Sequence, residues 1–348
     1  MFKSVIIGVS GGRAHGHADA FAYMKRGRLV AASARQRDKL DEFANKYDIE
    51  ARYTDYREMF TKEKPDLVQV STPPDARLEI MQAAHEAGVP GLIVEKPLAI
   101  EGEDYRAICA WAASKPGIKI AINHQLQFHP RRLVLQRLVN EGALGKLRFI
   151  DASSGMNLAY QGTHSLQAIG AFNPGAIPKT VFGAAAGANG LQPNIREHYA
   201  PDQSLAALEY SNDLPASLRC GENAPRVPGG DAIYQHKRIA VYGERGYAHW
   251  TMWGWETLID GVYERGEHLY PDQDVLGQAA MCEAMCDWLD DDSQVHPLNL
   301  DAAIRDFEVI LALYASALTH QVIKLPFDPP DGLIGRLRAA LGQDGGGK

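Results

Sequence analysis

The sequence predicts a two-domain α/β protein: a doubly wound parallel sheet first, then an α+β domain with an open, mainly antiparallel sheet. Three observations predict it. Up to about residue 122, short apolar runs alternate with helical patterns, the rhythm of β–α–β units on a parallel sheet. Beyond that point β-like runs follow one another with few helices between them. At 348 residues the chain also has length for two domains of roughly 100–200 residues each.

The expected strands of the first part are Ser4–Val9, Leu29–Ser33, Leu67–Ser71, Gly91–Val94 and Ile118–Ile122. They are continuously apolar, as strands covered on both faces must be. Helical patterns lie between them at His17–Arg26, Asp38–Tyr47, Ala76–Ala87 and Glu103–Ala113. A helix at Arg131–Asn140 ends at Glu141–Gly142 and opens the second part. Strand-like runs follow at Leu147–Ala152, Thr180–Ala184, Ser204–Tyr210, Ala216–Arg219, Arg238–Val241 and Ala248–Trp253, and a long helical pattern, Leu300–Thr319, comes late. The expected division is therefore residues 1–123, residues 124–330, and a flexible glycine-rich tail at 342–348.

Composition narrows the function. A formal net charge of −7 opposes binding to nucleic acid or anionic membranes, so an anionic ligand needs a local positive site. No apolar stretch nears the roughly 18 residues that span a bilayer. The start, MFKSVIIGVSGG, does not read as a signal peptide. Of the four cysteines only Cys282 and Cys286 are close, one helical turn apart, and they read as packed helix thiols rather than a metal site. A cytoplasmic, metal-free protein is expected.

Three sequence features carry chemistry. The first is Ile6–His17, IIGVSGGRAHGH, which follows the first strand and opens the first helix. Glycines there permit a tight turn and close approach of phosphate to peptide N–H groups at a helix N-terminus. The strict G-x-G-x-x-G spacing is not met, because Ser10 stands where the second glycine belongs. Gly8, Ser10, Gly11, Gly12, Arg13 and Ala14 are the expected cradle of a dinucleotide, in a Rossmann arrangement. The second feature is the end of the second strand. An acid there would accept hydrogen bonds from the adenosine ribose, but this chain has Ala34, with Ser33 before it and Arg35 and Arg37 after. That set suits a 2′-phosphate, so NADP is favoured, with NAD possible. The third is VEKP, where Lys96–Pro97 follows a strand at the sheet edge that binds ligands.

With STPP (Ser71–Pro74) and AYQGTHSLQ (Ala159–Gln167), these stretches stand in the order and spacing of the glucose-fructose oxidoreductase / inositol dehydrogenase / MocA family. SLAALEYSNDLPASL, RIAVYGERGYAHW, HPLNLDAA and LALYASALTHQVIKLP resemble it too, so the resemblance covers about residues 3–327. It implies a nicotinamide cofactor lined by Ser71, Thr72, Pro73, Glu95, Lys96 and Asn123. It implies that Lys96 hydrogen-bonds the reacting oxygen and relays its proton, that His164 completes the substrate contacts, and that the Lys96–Pro97 bond is cis. The chain departs from the family pattern at four places. Tyr160 and Gln167 stand where aspartates are frequent, Gln127 where arginine is, and Arg77 where histidine follows T-P-P. Tyr160 is weighed as a hydrogen-bond donor to the reacting oxygen or as a pocket wall, and His124 as a substrate contact.

The expected function is NAD(P)-dependent hydride transfer to or from a carbinol or carbonyl carbon of a sugar, cyclitol or related polyol. The alternatives are a glycosidase that uses tightly bound NAD for transient oxidation, and a non-catalytic cofactor sensor. Trp250, Trp253 and Trp255 are weighed as rings that stack on a sugar or, in preference, as a sheet face covered by a partner, hence a homo-oligomer, dimer or tetramer.

Overall fold

The structure is a computed structural model that describes residues 1–114, 117–192 and 198–343. The chain divides into two compact units. The first comprises Met1–Ala99, Arg106–Phe128 and Asp274–Ala303; the second comprises Ile100–Tyr105, His129–Gln273 and the chain from Ile304 onward.

The first unit begins β1 (Phe2–Ile7), α1 (Gly12–Ala20), β2 (Gly27–Ser33), α2 (Arg37–Lys46), β3 (Ala51–Tyr53), α3 (Tyr56–Glu63), β4 (Leu67–Val70) and α4 (Arg77–Glu86). It continues with β5 (Gly91–Glu95), α5 (Gly102–Ala113) and β6 (Lys119–Asn123), α5 starting within the second unit. All six strands are parallel, in the order β3-β2-β1-β4-β5-β6. The order reverses between β1 and β4, the switch point where such sheets bind ligands. The first helix starts five residues earlier than the sequence suggests, at Gly12, and closes at Ala20. The first strand ends at Ile7, because Gly8 turns out of the sheet at φ +83°. β3 and α3 are additions to the predicted set; Asp55 caps α3 by accepting the Arg57 N–H at 2.8 Å. Under α1 and α2, Ile6, Ala14, Ala18, Ala32, Leu40, Phe43 and Ile49 form one core.

In the second unit α6 (Pro130–Asn140), β7 (Leu147–Ser154), α7 (Thr163–Ala171), β8 (Pro178–Ala186), β9 (Gln203–Tyr210) and β10 (Pro215–Gly221) come first. They precede β11 (Lys237–Gly243), β12 (Gly246–Thr251), β13 (Gly254–Ile259) and β14 (Val262–Glu267). The nine-stranded sheet runs β14-β13-β12-β11-β7-β10-β9-β8, closed by β15 (Ile323–Lys324) beside β8. Every neighbouring pair is antiparallel except β7 with β10. Along β8 and β9 buried and exposed residues alternate, and the outward row includes Phe182 and Leu205, 48% and 43% exposed.

Before β15 come α8 (Tyr270–Asp290) and α9 (Leu300–Thr319); α10 (Leu333–Gln343) follows it. Of the glycine-rich tail, Gly342 and Gln343 belong to α10, and the remainder lies outside the described residues. The 21-residue α8 has no counterpart in the predicted elements beyond the Cys282–Cys286 turn. Its later part returns to the first unit, where Met281, Cys282 and Met285 pack on Leu67, Ile93 and Ala121 of β4, β5 and β6. The segment after α8 then lies along the sheet edge: Leu298 accepts the Ile122 N–H at 2.9 Å, and Asn299 bridges to Ala121. Both helix thiols are buried and free. Among the described residues no helix is long and apolar enough to cross a membrane.

Candidate active site

The turn after β1 separates the glycines by what each must do. At Gly8 the backbone is left-handed, and an added Cβ would lie 2.5 Å from the Ser71 carbonyl oxygen, so only glycine fits. At Gly11 and Gly12 an added Cβ would meet nothing within 4 Å. The packing of the fold has no need of glycine there, and the backbone is open on that side. Gly11 caps α1 without a side-chain hydrogen bond, so the helix presents bare peptide N–H groups beside exposed Ser10.

At the carboxyl edge of the sheet Glu95 and Asn123 are register neighbours at the ends of β5 and β6. The Asn123 amide donates to Glu95 Oε1 at 2.6 Å and to Gln278 Oε1 at 3.0 Å. Arg13 turns away from the glycine loop. Its guanidinium donates to Glu95 Oε1 at 3.2 Å, to Gln278 Oε1 at 2.8 Å and to Asp274 at 3.5 Å. His17 lies between Glu95 (3.0 Å) and Gln69 (2.8 Å). Burial pushes the Glu95 carboxyl up, but the charge of Arg13 and the hydrogen bond from His17 outweigh it and hold the group well below the usual carboxylate range.

The next residue, Lys96, is 8% exposed and precedes a cis Lys96–Pro97 bond. Burial lowers its amine to about 8; Glu95 opposes that, and the charges of Arg13 and Arg77 reinforce it. Arg77, the first residue of α4, is 3% exposed. It donates to the Thr72 carbonyl at 3.1 and 2.8 Å, to the Lys96 carbonyl at 3.3 Å and to the Pro97 carbonyl. Two buried polar atoms at this edge, Thr72 Oγ1 and Asn123 Oδ1, have no hydrogen-bond partner among the described residues. Buried polar atoms are rarely left so, and both atoms fit a ligand with hydroxyl and amide groups.

At the end of β2, Ser33 is buried and its carbonyl accepts the Gly8 N–H at 2.9 Å. Arg37 is tied to Asp41 at 2.9 Å, whereas Arg35 is exposed with no ion pair among the described residues. His124 is buried just after β6, and its carbonyl accepts from Gln127 at 3.0 Å.

In the second unit His164 is buried on α7. Tyr160 belongs to the single π-helical turn Leu158–Gly162 that leads into α7, and its ring lies 4.2 Å from that of His198. Gln167 accepts from buried Arg132 at 3.2 Å. Trp250 does not lie on an open face: it is 2% exposed, with Arg132 and His129 against its ring.

In the first unit the structure thus gathers Gly11, Gly12, Arg13, Thr72, Glu95, Lys96 and Asn123, all singled out by sequence. Sequence reasoning missed His17, Gln69, Asp274 and Gln278, and noted Arg77 only as a departure. One signal was available: Asp274, Gln278 and Cys282 stand four residues apart, one stripe of a helix.

Residues 2–124 match the family profile described as the oxidoreductase family with an NAD-binding Rossmann fold. An uncharacterized oxidoreductase of Bacillus subtilis is 30% identical over 112 residues, 30% of this chain and 27% of that protein. The trans-1,2-dihydrobenzene-1,2-diol dehydrogenase of Macaca fuscata fuscata is 27% identical over 132 residues, 38% of this chain and 39% of that enzyme. The matched stretch thus spans about a third of these curated relatives. Solved structures align over nearly the whole chain. An oxidoreductase from Agrobacterium radiobacter, crystallised with NAD+, L-tartaric acid and magnesium, superposes with a TM-score of 0.78 at 16% identity, covering 93% of this chain and 98% of that one. The aldose-aldose oxidoreductase from Caulobacter crescentus, complexed with glycerol, superposes with a TM-score of 0.76 at 20% identity, covering 93% and 99%. Both likenesses establish the two-part fold. Over residues 2–124 the chain is thus similar to the oxidoreductase family with an NAD-binding Rossmann fold.

Proposed function

We propose that this chain is an NAD(P)-dependent dehydrogenase or reductase acting on a carbinol or carbonyl carbon of a sugar, cyclitol or related polyol. The observation that carries the reading is Lys96: a buried amine, lowered to about 8, at the switch-point edge of a dinucleotide-type sheet. A bound nicotinamide dinucleotide supplies the hydride acceptor or donor. The peptide N–H groups at the start of α1, with Ser10, Gly11 and Gly12, hold the phosphates; the Ala14 N–H is taken by the Gly11 carbonyl at 3.0 Å. Arg13 contributes its backbone only, since its side chain serves Glu95 and Gln278. Ser71, Thr72, Pro73 and Asn123 line the nicotinamide end. Lys96 takes the hydroxyl proton during oxidation and returns it during reduction. Glu95 stays ionised throughout and fixes the turn that carries Lys96.

His164 is assigned to the second unit's substrate contacts, with Tyr160 as its candidate partner, and His124 is a further candidate contact. The resemblance to this family supports these three roles. Arg35, exposed and beside Ala34, supports NADP over NAD.

The test joins binding to turnover. Purified protein should bind NADP(H) or NAD(H), and Lys96→Ala should lower kcat by about a hundredfold or more with little change in cofactor affinity. His164→Ala should cost a similar or smaller factor. In Tyr160→Phe a tenfold loss would mark the hydroxyl as a proton carrier, and an unaltered pH profile would leave Lys96 and His164. Full activity in Lys96→Ala would defeat the mechanism.

A further inference from the structure

We propose that Arg77 is a positioning residue that sets Lys96 against the cofactor-lining loop. It does so by joining the turn after β4 to the turn after β5 through one buried guanidinium. The proposal rests on the reading of Lys96 as the proton carrier. These two turns leave adjacent parallel strands whose last paired residues are Val70 and Val94. Beyond the pair no ladder hydrogen bond joins them, so their separation needs another constraint. Arg77 supplies it from the first position of α4. Nε and Nη2 both reach the Thr72 carbonyl, at 3.1 and 2.8 Å. Nη2 also reaches the Lys96 carbonyl at 3.3 Å, and Nη1 reaches the Pro97 carbonyl.

Only a planar fork with several fixed donors serves three carbonyls on two loops at once. A lysine reaches there as a point charge with freely turning donors. A histidine offers at most two donors on a shorter stem. Because the contacts are to main-chain oxygens, Arg77 constrains where the Lys96 side chain begins. It also holds the peptide of Thr72, whose hydroxyl is one of the two unpartnered atoms at this edge. The guanidinium acts on the Lys96 amine by its charge as well. The charged groups bearing on that amine are Glu95 beside it in the chain, Arg13 from α1 and Arg77 from α4. Removing Arg77 therefore loosens the geometry and relieves a cationic neighbour, whereas Arg77→Lys loosens the geometry alone.

The experiment uses the whole chain and reads two quantities. The first needs neither cofactor nor turnover: the pH midpoint of acylation at Lys96 by acetic anhydride, followed by mass spectrometry of the Lys96 peptide. The wild type should titrate near about 8, Arg77→Met higher by at least about 0.5 pH unit, and Arg77→Lys close to the wild type. The second is steady-state kinetics. Both variants should lose about tenfold or more in kcat, because a carrier displaced by a fraction of an ångström loses near-attack geometry. In Arg77→Met alone the pH profile of kcat should move upward. Identical labelling midpoints in wild type and Arg77→Met would overturn the electrostatic half. Full kcat in Arg77→Lys would overturn the fork. If the wild type binds no nicotinamide nucleotide, the functional reading fails by itself, and the labelling midpoints still judge the influence of Arg77 on Lys96. Should Arg77→Met not fold, Arg77→Gln, which retains donors without charge, takes its place in both arms.

Discussion

On the proposed mechanism, the ionisation of Lys96 sets the direction in which the site runs well. An amine at about 8 is a mixture of base and acid near neutral pH. Carbinol oxidation needs the unprotonated form, so its kcat should rise with pH through about 8; carbonyl reduction needs the protonated form and should fall over the same range. Opposite limbs meeting near one midpoint are the expected outcome of pH–rate profiles in both directions, and parallel limbs would count against Lys96. Cofactor choice is a second matter of single residues. Arg37 is paired with Asp41, so the proposed preference for NADP rests on Arg35. NADP(H) should bind several-fold more tightly than NAD(H), and Arg35→Ala should narrow the gap in calorimetric titrations; equal affinities in the intact protein would remove the case. Lys96 could be placed from the sequence because the apolar run Gly91–Val94 marks a strand end at a parallel sheet's carboxyl edge; Glu95 and Asn123 were named through the family resemblance. Arg77 was visible only as an oddity, since its partners are main-chain oxygens, at Thr72 5 residues back and at Lys96 and Pro97 19 and 20 residues on, and no side-chain pattern encodes them.

Elements were legible where periodicity was local. The first-unit strands show as continuous apolar runs, and α9 was predicted with its observed bounds, Leu300–Thr319, from a clear apolar stripe. β3, three residues long and half-buried throughout, leaves too little pattern to see. α8 was missed for a different reason. It turns polar residues inward, with Asp274 and Gln278 serving Arg13 and Asn123, so its amphipathic signal is blurred. The segment after α8 depends on His296, which is fully buried. One ring nitrogen accepts the Leu298 N–H at 3.1 Å, and the other lies 3.2 Å from the Met281 carbonyl. Burial lowers this imidazole from 6.5 to about 4 despite the Met281 contact. A lowered folded value means that the unfolded chain binds the extra proton between those limits, so stability falls as pH drops from 6.5 toward 4. The stability advantage of wild type over His296→Gln should therefore shrink by about 2 kcal/mol between pH 7.5 and pH 5 in urea unfolding. A constant gap would show that His296 charges freely in the fold.

For the molecule as a whole, the second sheet has one unfinished face. Phe182 and Leu205 stand outward on neighbouring strands, and apolar side chains in such a row ask for a cover. A second copy of the chain is the proposed cover, and sedimentation at micromolar concentration should show a dimer or larger. Phe182→Lys with Leu205→Lys should shift that protein toward monomer, and a monomeric wild type would end the idea. The path of the chain carries a consequence of another kind. Because Asp274–Ala303 completes the first unit, the dinucleotide-type domain is discontinuous, with the bulk of the second unit inserted into it. A fragment ending at Phe128 would expose Leu67, Ile93 and Ala121 and deprive Arg13 and Asn123 of Gln278. The natural seams for recombination are therefore several, near residues 128, 273 and 303. Exchanging second units between relatives amounts to replacing an insert, with the host closed again behind it, and not to joining two halves end to end.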